Sequence, residues 1–144
     1  MTRMKTITTL CLSLLLVGSA LAARSKESVN LDDSFQVFWQ EFKGAVSKGD
    51  KEAVARMSKF PIGMSYGKAS IKNSTQLRRR YREVFNEQTN AAVCFSKAQP
   101  VVDAQNRKLF TIACPDAGGN EVVVYHFEQT RTGWKFTALD NLNE

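Results

Sequence analysis

The chain has 144 residues, a formal net charge of +6 at pH 7 and 43% hydrophobic residues. This is the length of one ordinary domain with a core of its own, and the charge is too small for a dedicated nucleic-acid-binding protein. The sequence contains no internal repeat and no low-complexity stretch that would indicate a second domain.

Residues 1–22 have the pattern of a secretory signal peptide. Arg3 and Lys5 form a short basic segment, an apolar run follows over Ile7–Leu21, and Ala20-Leu21-Ala22 is a small-x-small cleavage signal. The apolar run is shorter than the roughly 20 residues that cross a bilayer, which argues against an uncleaved membrane anchor. We therefore expect cleavage near Ala22, with no transmembrane anchor left in the mature protein.

Downstream of this signal, residues 23–31 are polar and charged without periodicity, so we expect a flexible N-terminal segment. Residues 32–144 form the single predicted domain, and its expected location is the periplasm or the medium outside the cell. Export from the cytoplasm is a second argument against a nucleic-acid partner.

An amphipathic helix is predicted over Asp33–Lys48, because large apolar residues recur there with the 3.6-residue period of a helix. Asp33 with Gln36 resembles a capping box, and Gly49 suits the left-handed position after the helix end. Aromatic side chains of this size bury a large area, so we expect this stripe to form much of the core rather than a cofactor site. The residues of the stripe are Phe35, Phe38, Trp39, Phe42 and Val46.

Two further helices are predicted, with a short extended region between them. The first covers Lys51–Lys59 and is stopped by Phe60-Pro61, since proline cannot continue a helix. A short strand, a turn and a second extended piece follow over Ile62–Ile71. Asn73 then caps a third helix over Ser74–Glu87. The buried face of that helix is expected to consist of Leu77, Tyr81, Val84 and Phe85.

The rest of the chain is predicted to be β structure. The predicted strands are Ala91–Ala98, Arg107–Cys114, Glu121–Glu128 and Trp134–Leu139, and a short hairpin loop ending at Gly133 joins the last two. These last two strands carry apolar residues on both faces, whereas a strand covered on one side alternates more cleanly. We therefore expect a curved sheet with helices on one side. A partner, a pocket lining or a second subunit would cover the other side.

Cys94 and Cys114 are the two cysteines downstream of the signal peptide. An even number of cysteines in an exported chain favours a disulfide. Both lie in predicted strands at equal distances from Ala104, so a hairpin centred there would place them opposite each other and within reach of a bond. Two buried thiols on neighbouring strands are the alternative. The absence of a C-x-x-C spacing argues against a redox pair.

Four pieces of the sequence together carry a resemblance to a known family. They are the F-x-x-[FW]-x-x-x-[FL] helix followed by Ser47-Lys48-Gly49-Asp50, the Phe60-Pro61 pair, the helix ending Tyr81-Arg82-Glu83-Val84-Phe85, and the hairpin closing on Gly133-Trp134-Lys135-Phe136. With the order of elements, they resemble the NTF2-like (SnoaL-like) cone-fold superfamily, in an exported bacterial member. The resemblance implies an α+β fold, with about three N-terminal helices packed on a curved, mostly antiparallel sheet of four to five strands.

In that family the concave face of the sheet and the helices enclose a pocket. The resemblance implies that the pocket-lining residues here are Phe38, Trp39, Met64, Tyr66, Tyr125, Phe127 and Trp134. Tyr66, His126 and Asp140 are candidates for acid–base catalysis, although none of them matches a catalytic motif of the family. His126 is the only histidine, and a structural or surface histidine is the competing interpretation.

The densest charge cluster is RRRYR, residues 78–82, in the third predicted helix. Arg78, Arg79 and Arg82 are candidates for contact with an anionic partner, and Arg79 is spaced to pair with Glu83 on the same helix. A solvated helix face is the alternative. Because the sequence has no metal-ligand spacing and no nucleotide-binding glycine pattern, we expect neither a metal nor a cofactor.

Three functions remain open at this point, since the family includes isomerases, dehydratases, small binding proteins and protein–protein adaptors. The leading hypothesis is an exported, non-enzymatic binding protein that uses a cone pocket or a sheet face for a small hydrophobic ligand. The second is a small acid–base enzyme of the same fold, and the third is an envelope protein that binds another protein as an inhibitor or immunity-type partner. A homodimer formed through the sheet face is compatible with all three.

Overall fold

The computed structural model describes residues 33–65, 67–116, 118–119 and 122–141. The predicted signal peptide, its cleavage site and segment 23–31 lie outside the described residues, and so does Tyr66. Within the described ranges the helices are α1 (Asp33–Lys48), α2 (Lys51–Arg56), α3 (Ser74–Arg79), α4 (Tyr81–Phe85) and α5 (Ala91–Lys97). The strands there are β1 (Ser58–Met64), β2 (Val101–Val102), β3 (Leu109–Pro115), β4 (Val122–Thr130) and β5 (Gly133–Asn141). No described helix is both long enough and apolar enough to cross a membrane.

The first predicted helix is confirmed with the same bounds as α1, and all five residues of its predicted stripe are buried. Its end has the two hydrogen bonds that accompany a left-handed residue after a helix. The N–H of Gly49 donates to the Val46 carbonyl at 3.1 Å, and that of Asp50 donates to the Ala45 carbonyl at 2.9 Å. Gly49 has a φ of +66°, which glycine adopts without steric cost. The chain therefore turns sharply into α2.

The second helix is shorter than predicted, because it ends at Arg56 and strand β1 begins at Ser58. The hydroxyl of Ser58 donates at 2.8 Å to the carbonyl of Val54, one of the carbonyls near the helix end. The Phe60-Pro61 pair lies inside a strand and does not stop the helix. Proline is tolerated there because β1 is an edge strand of the sheet.

The third predicted helix is divided into α3 and α4 at Arg80, whose backbone has a φ of −96° and a ψ of 14°. The predicted cap is confirmed, since the side chain of Asn73 accepts a hydrogen bond from the N–H of Gln76 at 3.0 Å. The predicted buried face is also confirmed, and it packs into the core in spite of the break. Its members are Leu77, Tyr81, Val84 and Phe85.

The strand predicted over Ala91–Ala98 is wrong, because Ala91–Lys97 forms helix α5. Asn90 caps it by accepting a hydrogen bond from the N–H of Val93 at 3.2 Å. Ala91 and Phe95 lie one helical turn apart and are both buried. A short apolar run fits a strand and a buried helical turn equally well, and here the turn packs against α1 and β3.

The predicted disulfide between Cys94 and Cys114 is present, with a Cα–Cα distance of 5.7 Å. The hairpin that led to the prediction is wrong, because Cys94 lies on α5 and Cys114 on β3. A hairpin does form in this region, but it joins β2 to β3 and pairs Val101 with Thr111. The disulfide therefore ties a helix to the sheet.

The strands form one curved sheet in the order β1-β5-β4-β3-β2. The β1–β5 pair is parallel and the other neighbouring pairs are antiparallel, which confirms the predicted α+β class and the mostly antiparallel sheet. The helices pack on one face of the sheet, called here the inner face. Its buried residues include Phe110, Tyr125, Phe127 and Phe136. The ring of Phe42 on α1 lies 5.1 Å from that of Phe127 and 5.7 Å from that of Phe136, between centroids.

The opposite face of the sheet, called here the outer face, carries both apolar residues, such as Val124 and Ala138, and polar ones. Its polar residues include Thr111 on β3, His126 and Glu128 on β4, and Lys135 and Asp140 on β5. A β-bulge interrupts β5 between two paired positions, His126 with Ala138 and Phe127 with Phe136. Thr137 is therefore the extra residue on β5.

Candidate functional site

Three side chains from three strand regions meet on the outer face. The Nε2 atom of His126 on β4 lies 2.8 Å from the Oδ2 atom of Asp140 on β5. The hydroxyl of Ser65, which directly follows β1, donates a hydrogen bond to Oδ1 of the same carboxylate. The backbone fixes Ser65 here as well, because its N–H donates to the Leu139 carbonyl at 3.0 Å. Asp140 therefore links Ser65 and His126.

The imidazole ring of His126 has one edge buried from solvent and another edge accessible to it. Its side chain is 35% exposed, whereas the Nε2 atom is buried. Nε2 has no well-directed hydrogen bond within the described residues, so its short contact with Asp140 is an ion pair whenever the imidazole is protonated. The accessible part of the ring is consequently the part that does not contact Asp140.

A depression of about 290 Å³ lies beside this imidazole on strands β2, β3 and β4, and we call it the His126 depression. Most of its lining is apolar. The lining residues are Val101, Val102, Asp103, Leu109, Phe110, Thr111, His126 and Phe127. The Oδ1 atom of Asp103 accepts hydrogen bonds from the N–H groups of Gln105 and Asn106 at 2.8 and 2.9 Å, which holds the β2–β3 loop. Asp103 belongs to this loop, so the polar lining side chains that lie on the outer face of the sheet are those of His126 and Thr111.

An imidazole oriented by a carboxylate can bind a polar group or transfer a proton, depending on what else is present. Acid–base catalysis also needs a group that stabilises developing charge on the substrate. Thr111 offers a single hydroxyl for that purpose. Within the part of the chain that the structure describes, no three or more metal-ligating side chains form a cluster that could hold a metal ion.

The structure brings two of the three candidate catalytic residues together and adds one that the sequence analysis missed. His126 and Asp140 meet, while Tyr66 lies outside the described residues. Ser65 was missed because its partner is Asp140, which is 75 residues away in the chain. No local pattern around either residue indicates the contact.

The predicted pocket-lining residues that the structure describes lie mostly in the packed core. Five of them are at most 8% exposed, namely Phe38, Trp39, Tyr125, Phe127 and Trp134. They contact each other, since the ring of Phe127 lies 5.8 Å from Phe38 and 5.7 Å from Trp39. The hydroxyl of Tyr125 donates to the Val84 carbonyl at 2.9 Å. Met64 on β1 is half-buried. That these side chains meet a ligand stays a prediction.

The arginine cluster is partly used within the fold. Arg78 pairs with Glu52 of α2 at 3.0 Å. Arg80 makes two hydrogen bonds of 2.7 Å to Glu83, so the predicted Arg79–Glu83 pair is replaced by Arg80–Glu83. These hydrogen bonds lower the pKa of Glu83 and raise that of Arg80. Arg79 and Arg82 are exposed. Their contact with an anionic partner stays a prediction.

Tyr81 belongs to the core and not to a reactive site. It is 5% exposed, and its ring lies 4.8 Å from that of Phe85. Burial raises the pKa of Tyr81 to about 12, with a smaller contribution from the charge of Asp50. The hydroxyl is therefore neutral at ordinary pH.

Comparison with known proteins finds similar structures but no similar sequences. No family model and no curated protein matches the chain. An NTF2-like protein with a cystatin-like fold from Novosphingobium aromaticivorans is 14% identical, with a TM-score of 0.45 over 77% of this chain and 81% of that one. A cystatin-like domain of unknown function from Nostoc punctiforme is 12% identical, with a TM-score of 0.48 over 81% and 79%.

An enzyme is also among the similar structures. It is a hexachlorocyclohexane dehydrochlorinase of LinA type 3 from Novosphingobium barchaimii, which is 14% identical, with a TM-score of 0.41 over 76% of this chain and 83% of that one. These likenesses concern the fold alone.

Proposed function

We propose that this protein is an exported binding protein that holds a small ligand in the His126 depression. The proposal rests on the position of the His126 side chain, which lies between Asp140 and the depression. One edge of its ring is held against Asp140, and another part of the side chain lies in the wall of an apolar hollow. A few fixed polar groups in a largely apolar concave surface are the usual composition of a small-molecule site. The volume of about 290 Å³ suits a single ring or a short chain.

The packing of the inner face supports the outer face as the binding surface. On the inner face, Phe42 is fully buried and contacts the rings of Phe127 and Phe136. A ligand there would have to displace side chains that already pack closely, at a cost in core stability. A ligand in the His126 depression would displace only water.

Export is the second part of the proposal, and it rests on the sequence pattern of residues 1–22. The disulfide between Cys94 and Cys114 supports it, because such bonds form and persist in oxidising compartments. In that setting the protein would meet its ligand in the periplasm or outside the cell.

A matched pair of variants tests the site. Thr111→Phe puts a ring into the depression, whereas Ala113→Phe puts the same ring on the same face of β3 at the next outward position, which does not line the depression. Protein purified from the periplasm is examined by native mass spectrometry and again after denaturation. We expect the wild type and Ala113→Phe to release a small molecule that Thr111→Phe does not retain. Equal release from both variants, or none from the wild type, would overturn the proposal.

Acid–base catalysis at the same site is the second candidate, and the 2.8 Å contact between His126 and Asp140 favours it. His126→Gln keeps a polar side chain of similar size but cannot exchange a proton near neutral pH. If the protein is an enzyme, the His126→Gln variant should retain bound substrate, whereas the wild type should retain bound product. Chromatography of the molecules released on denaturation would distinguish the two. The same molecule from both proteins would indicate binding without catalysis.

A further inference from the structure

A second depression lies at the other end of β4, where the β4–β5 hairpin turns, and we call it the hairpin depression. It has a volume of about 570 Å³. Its wall contains Lys59 of β1, Arg131 of the hairpin turn and Lys135 of β5, against a single acidic residue, Glu128. Three cationic groups around one carboxylate give this hollow a net positive charge.

Each of the two lysine side chains makes one polar contact within the fold. Lys59 Nζ lies 2.8 Å from Glu128 Oε2. Lys135 Nζ donates at 2.8 Å to the carbonyl of Arg56, the last residue of α2, where a cation also interacts favourably with the negative end of the helix. The Lys135 ammonium is thereby positioned in advance and loses less conformational entropy when a ligand binds. At Lys59, by contrast, the Glu128 carboxylate occupies a position that an anionic ligand would take.

Hydrogen-bond donors in the hairpin depression exceed the acceptors that the fold supplies. An ammonium has three N–H donors, so each of these single contacts leaves donors for a ligand. Arg131 makes no ion pair with any described residue, and its guanidinium adds a planar set of donors. The Thr130 hydroxyl, by contrast, is already used, since it donates to the Gly133 carbonyl at 2.7 Å.

We propose that the hairpin depression binds the phosphate or sulfate group of a small soluble ligand that carries at least two negative charges. A tetrahedral oxyanion accepts hydrogen bonds in several directions, which matches donors that approach from two strands and a turn. The described lining residues include no aromatic side chain, so the hollow offers no stacking surface for a sugar ring or a base. Recognition is therefore directed at the anionic group itself.

This inference is independent of the proposed ligand site. Lys59, Arg131 and Lys135 do not line the His126 depression, and His126 and Thr111 do not line the hairpin depression. Failure of one site would leave the other intact.

The test uses inorganic pyrophosphate as the probe, in calorimetric titrations of the mature protein at low ionic strength. Arg131→Gln removes one cationic group from the exposed turn, and we expect it to weaken binding by about threefold to fivefold. Glu128→Gln removes the competing carboxylate, and we expect it to strengthen binding by about threefold. The matched control is Arg107→Gln, an exposed basic residue of the β2–β3 connection outside the hollow, which should leave the affinity unchanged.

Each other outcome overturns the proposal. No heat of binding with the wild type would exclude the site, and equal weakening by Arg131→Gln and Arg107→Gln would indicate nonspecific surface charge. Weaker binding by Glu128→Gln would contradict the role of its carboxylate as a competitor. Sedimentation with phosphatidylglycerol vesicles separates the two sources of phosphate. Binding to vesicles without binding to pyrophosphate would replace the small ligand by a membrane surface.

Discussion

The substitution Trp39→Ala separates a packed core from a ligand pocket on the inner face. The resemblance to the cone-fold family implies that Trp39 lines a pocket, but the structure places its side chain in the core at 5% exposure. The ring lies 5.0 Å from Phe95 and 5.7 Å from Phe127, both in edge-to-face geometry. Removing it should therefore leave a cavity among side chains that cannot easily close.

The expected loss follows from that environment. Replacing a buried tryptophan by alanine costs about 3–5 kcal/mol, which combines lost transfer free energy with the cost of the cavity. Edge-to-face contacts, worth about 0.5–1.5 kcal/mol each beyond the buried area, favour the upper half of this range. A domain of this kind has a total stability of about 5–15 kcal/mol, so the variant should unfold at a much lower urea concentration.

The assay is urea unfolding followed by far-ultraviolet circular dichroism. The control is Val37→Ala on the same helix, where the side chain is 62% exposed and the expected change is within about 0.5 kcal/mol. If Trp39→Ala does not fold, Trp39→Leu should give a smaller but still measurable loss. A loss below about 1 kcal/mol for Trp39→Ala would refute the packing argument, because a ring at the wall of an open pocket leaves no cavity behind.

Three further predictions concern stability. Reduction of the Cys94–Cys114 bond, which spans 20 residues of chain, should lower the free energy of unfolding by about 3 kcal/mol; an unchanged urea midpoint with reductant would contradict this. Because Arg80 lowers the pKa of Glu83 below its ordinary value of 4.5, that carboxylate stabilises the fold above this pH, and its contribution is lost as the pH falls through the lower pKa of the folded state. The stability difference between the wild type and Glu83→Gln should therefore shrink from about pH 6 to about pH 3, and a constant difference would rule the pairing out. Asn73→Ala should cost about 1 kcal/mol through loss of the α3 cap, measured against Asn73→Asp, which keeps the acceptor and should stay close to the wild type.

Features set by local periodicity could be predicted from the sequence. The apolar stripe of α1 and the glycine after it predicted both ends of that helix correctly. Such signals depend only on side chains within one or two helical turns. The α5 segment shows the limit of this approach. Ala91 and Phe95 are spaced for a helix and Asn90 is a suitable cap, yet the intervening Val93 and Cys94 fit a strand as well. Packing against α1 and β3 favours the helix over the strand. These contacts join distant parts of the chain, so a short window of sequence does not reveal them.

The division of the third helix had no signal in its apolar pattern, because the buried face is maintained across Arg80. At the break, the side chain of Arg80 makes polar contacts. The Arg80 guanidinium binds both Glu83 and the carbonyl of Ala69, which belongs to the segment before α3. Such a contact joins parts of the chain that are 11 residues apart, outside the range of helical periodicity.

The candidate site on the outer face depends on a single extra residue in β5. Strict alternation would put Phe136, Ala138 and Asp140 on the same face. The bulge at Thr137 shifts the alternation by one, so that Phe136 and Leu139 both reach the core while Asp140 joins His126 on the outer face. This shift also accounts for the mixed apolar pattern of β5, which the sequence analysis attributed to a cover on the second face. The sequence could therefore identify His126 and Asp140 as candidates without indicating that they meet, since the residue that brings them together belongs to neither.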